Sequence, residues 1–475
     1  MPDTALHWLT VSALSRRIHE GSLSPVTLME HFLDRAEALN PTLGAFQLIP
    51  RAMALDSARA SELALHSGYD AGPLHGIPFA AKDIIDVRGL ATTAGSNALL
   101  DNIAVQDATV VDRLRRAGMV LLGKTRTVQF ALGAPGVNRD QGTPHNPWGK
   151  EHHVPGGSSS GSAVAVAAGI VPIALGSDTG GSVRIPAGLC GIVGLKPTVC
   201  QVSRAGVFPI SDLLDSVGPL TRSVEDAALV YQALHGADPR DAMSLTAQSQ
   251  DVLTGLGDGA RGLRIGLAEG LFAEDLDPDV VAAIDVATKV FASLGAQVTR
   301  LPLSEGTQAL AANPRLLISS VEGALAHEEL LPNFDSYDET LAFRLAEGRN
   351  ASAVDYLRAR RASARLAVEA NHALRDIDVF IAATCSSTAR PLAEVDVSGE
   401  SYQHWNTRYS RNALMGNLLG LCAVSLHCGF GQGGFPIGLM IHAKAQDETM
   451  ALRAALAFEQ ASEWHQRRPD LSWAN

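Results

Sequence analysis

Apolar residues recur along this chain at two spacings. Between residues 24 and 36 they fall at Leu28, Met29, Phe32, Leu33 and Ala36, the period of a helix with one buried stripe. Ser24 and Pro25 supply its N-cap and first helical position. From Gly76 onward, short apolar runs such as Met119 to Leu122 and Ile170 to Leu175 alternate with helical stretches and glycine-rich turns, which predicts α/β architecture. Leu263 to Leu267 reads as a further strand, and a helix over Ala353 to Leu374 leads into another strand, Val379 to Ala383. The longest apolar run, Ala163 to Leu175, is broken by Gly169 and Pro172 and falls short of the roughly 20 residues a bilayer span requires. It predicts a buried helix and strand. No repeat, low-complexity tract or long Pro-rich linker interrupts the pattern, so residues 1–475 are expected to form one domain, with about 305–375 a helical elaboration near the substrate pocket.

Composition adds little to this picture, with 46% hydrophobic and 19% charged residues typical of a globular protein. A net charge of −12 would repel a phosphate backbone and gives no global support for nucleic-acid binding. The opening MPDTALHWLT has neither a basic n-region nor an apolar h-region, so the expected location is cytoplasmic. The five cysteines, Cys190, Cys200, Cys385, Cys422 and Cys428, are odd in number and widely spread, with no ligand spacing for zinc; they read as reduced, mostly buried thiols.

Two segments are richer in glycine and hydroxyl groups than packing requires: Gly156 to Ser162 (GGSSSGS) and Gly176 to Ser182 (GSDTGGS). The second follows a strand candidate and precedes a helix, a geometry that aims successive backbone N–H groups at one point, as an oxyanion hole requires. Taken singly, each cluster is equally a set of turns. Lys82 sits inside the apolar stretch Phe79 to Ile85, where burial lowers a lysine pKa and makes a neutral base available; the alternative is a packed stem with the ammonium reaching solvent.

With these motifs the chain resembles the amidase-signature enzymes, through Gly156 to Ser162, Gly176 to Pro186, Gly191 to Thr198 (GIVGLKPT), Gly218-Pro219, Arg222 to Asp226 and Phe435 to Leu439. The resemblance spans nearly the whole chain and is weakest from about 240 to 375. It implies an α/β/α sandwich around a central twisted mixed β-sheet and a triad of Lys82, Ser158 and Ser182, with Ser158 the bridging serine of a cis peptide and Ser182 the nucleophile. It implies an oxyanion hole of the N–H groups of Thr179, Gly180, Gly181 and Ser182. Asp178 and Arg184 flank the nucleophile and are expected to form a structural ion pair beneath the loop; the alternative is that Arg184 meets an anionic substrate group. Val199-Cys200 and the proline-free Asp378 to Cys385 depart from the family pattern and bear on the pocket, not on the triad.

Other motifs carry less. Gly157 to Gly161 matches GxSxG, but a charged, Pro-ended segment precedes it where a nucleophile elbow needs a strand. Gly257-x-Gly259-x-x-Gly262 precedes its strand, the reverse of a dinucleotide-binding unit. His152-His153 lacks a third ligand, so no metal is expected, and no cofactor. The expected activity is hydrolysis of a small or medium carboxamide, aryl amide or carbamate (urethane) by a monomer or homodimer, without nucleic acid or membrane. The rival is the glutaminase subunit of a tRNA-dependent amidotransferase, which would pass ammonia to a partner. The lower arm of the pH profile is expected above the histidine range, with activity rising through mildly alkaline pH.

Overall fold

Strands covered on both sides carry apolar residues without alternation, and Val379 to Ala383 (VFIAA) is such a run, buried at every position. The computed structural model describes residues 5–330 and 337–474. Its strands are β1 (Phe46–Leu48), β2 (Pro78–Lys82), β3 (Val120–Thr125), β4 (Ile173–Asp178), β5 (Val193–Lys196), β6 (Ser216–Thr221), β7 (Arg264–Ala268), β8 (Gln297–Leu301), β9 (Val379–Ala383), β10 (Cys422–Phe430) and β11 (Pro436–Ala443). They form one 11-stranded sheet in the order β1-β3-β2-β4-β6-β5-β10-β11-β9-β7-β8. The sheet is mixed: β2 runs parallel to β3 and β4, and β7 to β8 and β9, whereas β4 meets β6, and β10 meets both β5 and β11, antiparallel.

Helices cover both faces, as alternate residues show. In β9, Val379, Ile381 and Ala383 join the largest apolar core, while Phe380 and Ala382 point into a second one built with Ile318, Leu366, Leu414 and Met415. The α/β/α sandwich read from the sequence is the observed fold. Each edge strand is poorly suited to pairing with another chain: β1 has three residues, and β8 exposes Gln297, Thr299 and Arg300.

The individual elements follow the sequence closely. The helix Pro25–Leu43 is capped by Ser24, whose hydroxyl accepts from the N–H groups of Val26 and Thr27, and it buries Leu28, Met29, Phe32, Leu33 and Ala36 completely. The run Ala163 to Leu175 divides into the helix Ser160–Ala167 and strand β4, parted by Gly169 in left-handed conformation and by Pro172, which has no N–H for a ladder. Four helices, Ser304–Ala312, Leu317–Leu330, Glu339–Asn350 and Ala353–Ala373, occupy the region where the family pattern is weakest. No described helix is long and apolar enough to cross a membrane.

Candidate active site

The parallel pairing of β2 with β4 brings the two glycine-rich segments to the lysine. Ala81 stands opposite Leu175, so β2 ends at Lys82 where β4 runs out through Ser177 and Asp178. Between these strands in sequence, Gly156 to Ser159 leads into the helix Ser160–Ala167, which returns the chain to β4. Lys82 is fully buried, and its Nζ donates to Ser158 Oγ and to Ser177 Oγ, both at 2.8 Å. The Gly157-Ser158 peptide is cis. The Ser158 carbonyl accepts from Thr127 Oγ1 at 3.0 Å and from Val128 N, and Ser159 N donates to the Ser182 carbonyl, tying the two loops together. At Gly157 a Cβ would lie 2.7 Å from the Gly133 carbonyl oxygen, which leaves room only for glycine.

The loop between β4 and the helix Arg184–Cys190 carries the nucleophile candidate. Gly181 has φ +120°, and a Cβ there would meet Ile185 and Ala413 at 2.5 and 2.6 Å, so glycine is required on both counts. The expected ion pair lies beneath this loop: Arg184 donates to Asp178 through Nε and Nη2, both at 2.9 Å, and neither side chain reaches solvent. Asn417 contacts both partners, and Ala413 O accepts from Arg184 Nη1 at 3.1 Å. Arg184 is therefore committed within the core. Asp178 also accepts from the N–H groups of Gly181 and Val183. Of the four proposed oxyanion donors, Gly181 is thus engaged, while those of Thr179, Gly180 and Ser182 make no hydrogen bond among the described residues. Gly180 and Ser182 are the partly exposed members of the loop.

Burial decides the charges. Desolvation lowers the Lys82 pKa to about 7, against the opposing charges of Asp178 and Asp215. Desolvation alone would raise the Asp178 carboxyl, but the Arg184 charge and hydrogen bonds outweigh it and hold the group well below the carboxylate range. Activity that requires neutral Lys82 falls as pH drops through about 7, where the amine gains its proton, and is level above about 8. The complete burial of Lys82 would place the arm below the mildly alkaline rise expected from the sequence. The profile of kcat/KM with a slow amide substrate checks this; a rate still climbing at pH 9 contradicts it. No histidine lines the nucleophile pocket among the described residues, so that arm has no imidazole to account for it.

Ser182 opens into a small cavity of about 50 Å³, with Thr179, Gly180 and Ile185 beside it. Leu132, Leu316, Arg344 and Asn406 form a neck shared with an outer cavity of about 880 Å³, whose walls include Val137, Arg139, Tyr337 and Tyr402. Two consecutive pairs of non-glycine residues next to the cavities have positive φ: Phe130 and Ala131 at 49° and 58°, Arg315 and Leu316 at 51° and 58°. Sequence reasoning missed Ser177, although it lies inside the GSDTGGS motif, and it missed Arg344, for which a helical segment without a motif offered no signal. The three glycines of 257–262 lie in a turn-rich loop, and His153 stacks on Phe435 at 4.2 Å. Four of the five free cysteines are buried, and Cys200 is partly exposed.

A model of the family described as Amidase matches residues 27–452. Over 486 residues the chain is 35% identical to one of the subunits of glutamyl-tRNA(Gln) amidotransferase from Gloeobacter violaceus, with 98% of each chain covered. Its structure is similar to that of peptide amidase from Stenotrophomonas maltophilia, with a TM-score of 0.84, 32% identity and 99% of each chain covered. It is also similar to 6-aminohexanoate cyclic dimer hydrolase complexed with substrate, at TM-score 0.88 and 26% identity, over 99% of this chain and 100% of that one. The first relative corrects one expectation. A partnership limited to small molecules, without nucleic acid and in a monomer or homodimer, does not fit a relative that is one component of an enzyme named for a tRNA. Net charge misled here because it sums over the whole surface and is blind to what a partner chain contributes.

Proposed function

The chain belongs to the amidase signature family, and from that premise we propose that it cleaves a carboxamide C–N bond through an acyl-enzyme on Ser182, as the glutamine-hydrolysing subunit of a tRNA-dependent amidotransferase. Ser182 Oγ attacks the amide carbonyl carbon while its proton passes to Ser158 Oγ and the Ser158 proton to neutral Lys82 Nζ. The 2.8 Å contact from Lys82 to Ser158 supports this relay. When the tetrahedral intermediate collapses, the C–N bond breaks and the protons run back through Ser158 to the leaving nitrogen, which departs as ammonia. Water then attacks the ester by the same route and releases the carboxylate. The N–H groups of Thr179, Gly180 and Ser182 stabilise the oxyanion, a contribution of about 3–4 kcal/mol for a single donor.

Arg344 carries the choice of glutamine. It lines the cavity beside Ser182, and its Nη2 and Nε donate to Ser319 Oγ at 2.7 Å and Ser320 Oγ at 3.2 Å. A guanidinium held by two neutral hydroxyls keeps its charge available for the α-carboxylate of an amino-acid substrate. The test is ammonia release from glutamine, beside a neutral alkyl carboxamide and an aryl carbamate, by the protein alone and with any subunits that copurify. Arg344→Met is expected to raise KM for glutamine roughly 10- to 100-fold, the range of a charged hydrogen bond, and to leave the neutral carboxamide within about threefold. Glutamine left intact while the neutral substrates turn over overturns this reading.

One observation favours a second reading, hydrolysis of a medium organic amide or urethane. The outer cavity of about 880 Å³ has the size of a site for a drug-sized ligand, well beyond one amino acid.

A further inference from the structure

We propose that Ser177 is a positioning residue that aims the lone pair of Lys82 at Ser158. The inference rests on the relay proposed above and adds a group to it. A neutral amine offers two N–H donors and one lone pair, whereas an ammonium offers three donors and no acceptor. Lys82 has two hydroxyl partners, Ser158 and Ser177, at equal distances of 2.8 Å. If Nζ donates to Ser158, it cannot receive the proton that the relay must deliver. One N–H therefore has to be held elsewhere, and Ser177 Oγ is the second acceptor within reach. With that N–H fixed, the amine turns its lone pair toward the Ser158 hydroxyl.

The surroundings keep Ser177 in this role. Its backbone is pinned by Ser159, whose hydroxyl accepts from Ser177 N and donates to Ser177 O, each at 3.3 Å. The carboxylates nearest the lysine are both engaged. Asp178, from β4, is committed to Arg184, Asn417 and two loop N–H groups. Asp215, just before β6, accepts from Thr179 Oγ1 at 2.5 Å and from the N–H groups of Ile210 and Ser211. They act on Lys82 through space and do not receive its protons. Ser177 also borders a separate cavity of about 150 Å³ together with Asp215, so its hydroxyl hydrogen has room to turn away from the lysine and leave Oγ as an acceptor.

Ser177→Ala, Ser177→Cys and Ser177→Thr test the proposal, with kcat and KM measured across pH on one amide substrate. Ser177→Ala is expected to lower kcat about 30- to 100-fold, the cost of a misaimed reacting group, with KM within twofold. Its lower pH arm should move to more acid pH, because losing an acceptor weakens the ammonium more than the amine. Ser177→Cys preserves volume while weakening the acceptor and should behave alike, and Ser177→Thr should restore both kcat and the arm. The proposal is overturned if Ser177→Ala keeps kcat within threefold, or if kcat falls while the arm stays in place and Thr fails to rescue it, as a merely structural role would give. Lys82→Ala in the same assay separates the two levels: its inactivity beside an unaffected Ser177→Ala removes this inference alone, whereas its retained activity removes the relay.

Discussion

Ser182→Ala is expected to lower kcat/KM by about 10⁴- to 10⁶-fold while leaving thermal stability within a few degrees. In the proposed mechanism the hydroxyl forms the covalent bond of the acyl-enzyme, so its removal would take away the nucleophile but no core volume. Ser182 faces the small cavity and is partly exposed, so alanine there leaves no buried partner unsatisfied. Lys82→Ala and Ser158→Ala should each approach the same loss. Combining either with Ser182→Ala should add almost nothing if, as proposed, the three groups act as one relay. The measurement is single-turnover kinetics on the three single and two double variants. Multiplicative losses in the doubles would show that the groups work independently and would end the relay reading.

The largest effect on stability is expected at Arg184. In Arg184→Met, Asp178 would remain fully buried with its main countercharge gone, and breaking a buried pair in this way costs about 3–5 kcal/mol. Asn417 and the loop N–H groups still reach Asp178, so the effect should sit toward the lower end. Asp178→Asn/Arg184→Met removes both charges and should recover part of the loss. The depressed Asp178 pKa fixes the pH window: the stabilisation is fully present above the unfolded carboxylate pKa and is lost only as pH falls below that range through the folded value. In Arg184→Met that depression is lost and desolvation raises the Asp178 carboxyl, so urea unfolding should give a smaller penalty at pH 5, where the buried group can take a proton, than at pH 7. A variant as stable as the parent would mean that Asp178 does not depend on Arg184.

The two ends of the site differed in how far they could be read in advance. Lys82, Ser158 and Ser182 were legible because close backbone approach restricts the choice of residue: Gly157 and Gly181 have no space for a side chain, and such restrictions leave glycine-rich words in the sequence. The strands were legible for a similar reason, since a run such as Val379 to Ala383, covered on both faces, tolerates little but apolar residues. Arg344 was not legible. It sits between Phe343 and Leu345 on the helix Glu339–Asn350 with no motif around it, and the role proposed for it depends on a fold that brings residue 344 to residue 182. The engagement of the Gly181 N–H by Asp178 was hidden too, because a loop motif names the donors without saying which are already taken. Partners were the least legible feature, being a property of a surface patch against another chain.

The neck between the two cavities joins parts of unlike character. Its floor comes from the loops after β3 and β4, with Leu132, Thr179, Gly180 and Ser182, whereas Leu316 and Arg344 come from the segment between β8 and β9; the outer wall combines Val137 and Arg139 after β3 with Tyr337 and Tyr402. Non-glycine residues in left-handed conformation at Phe130, Ala131, Arg315 and Leu316 each carry on the order of 1 kcal/mol of strain, which glycine would relieve. Substitutions at Leu316 or Arg344 would therefore reshape the approach to Ser182 without touching Lys82 or Ser158, so substrate choice could be altered separately from the proposed relay.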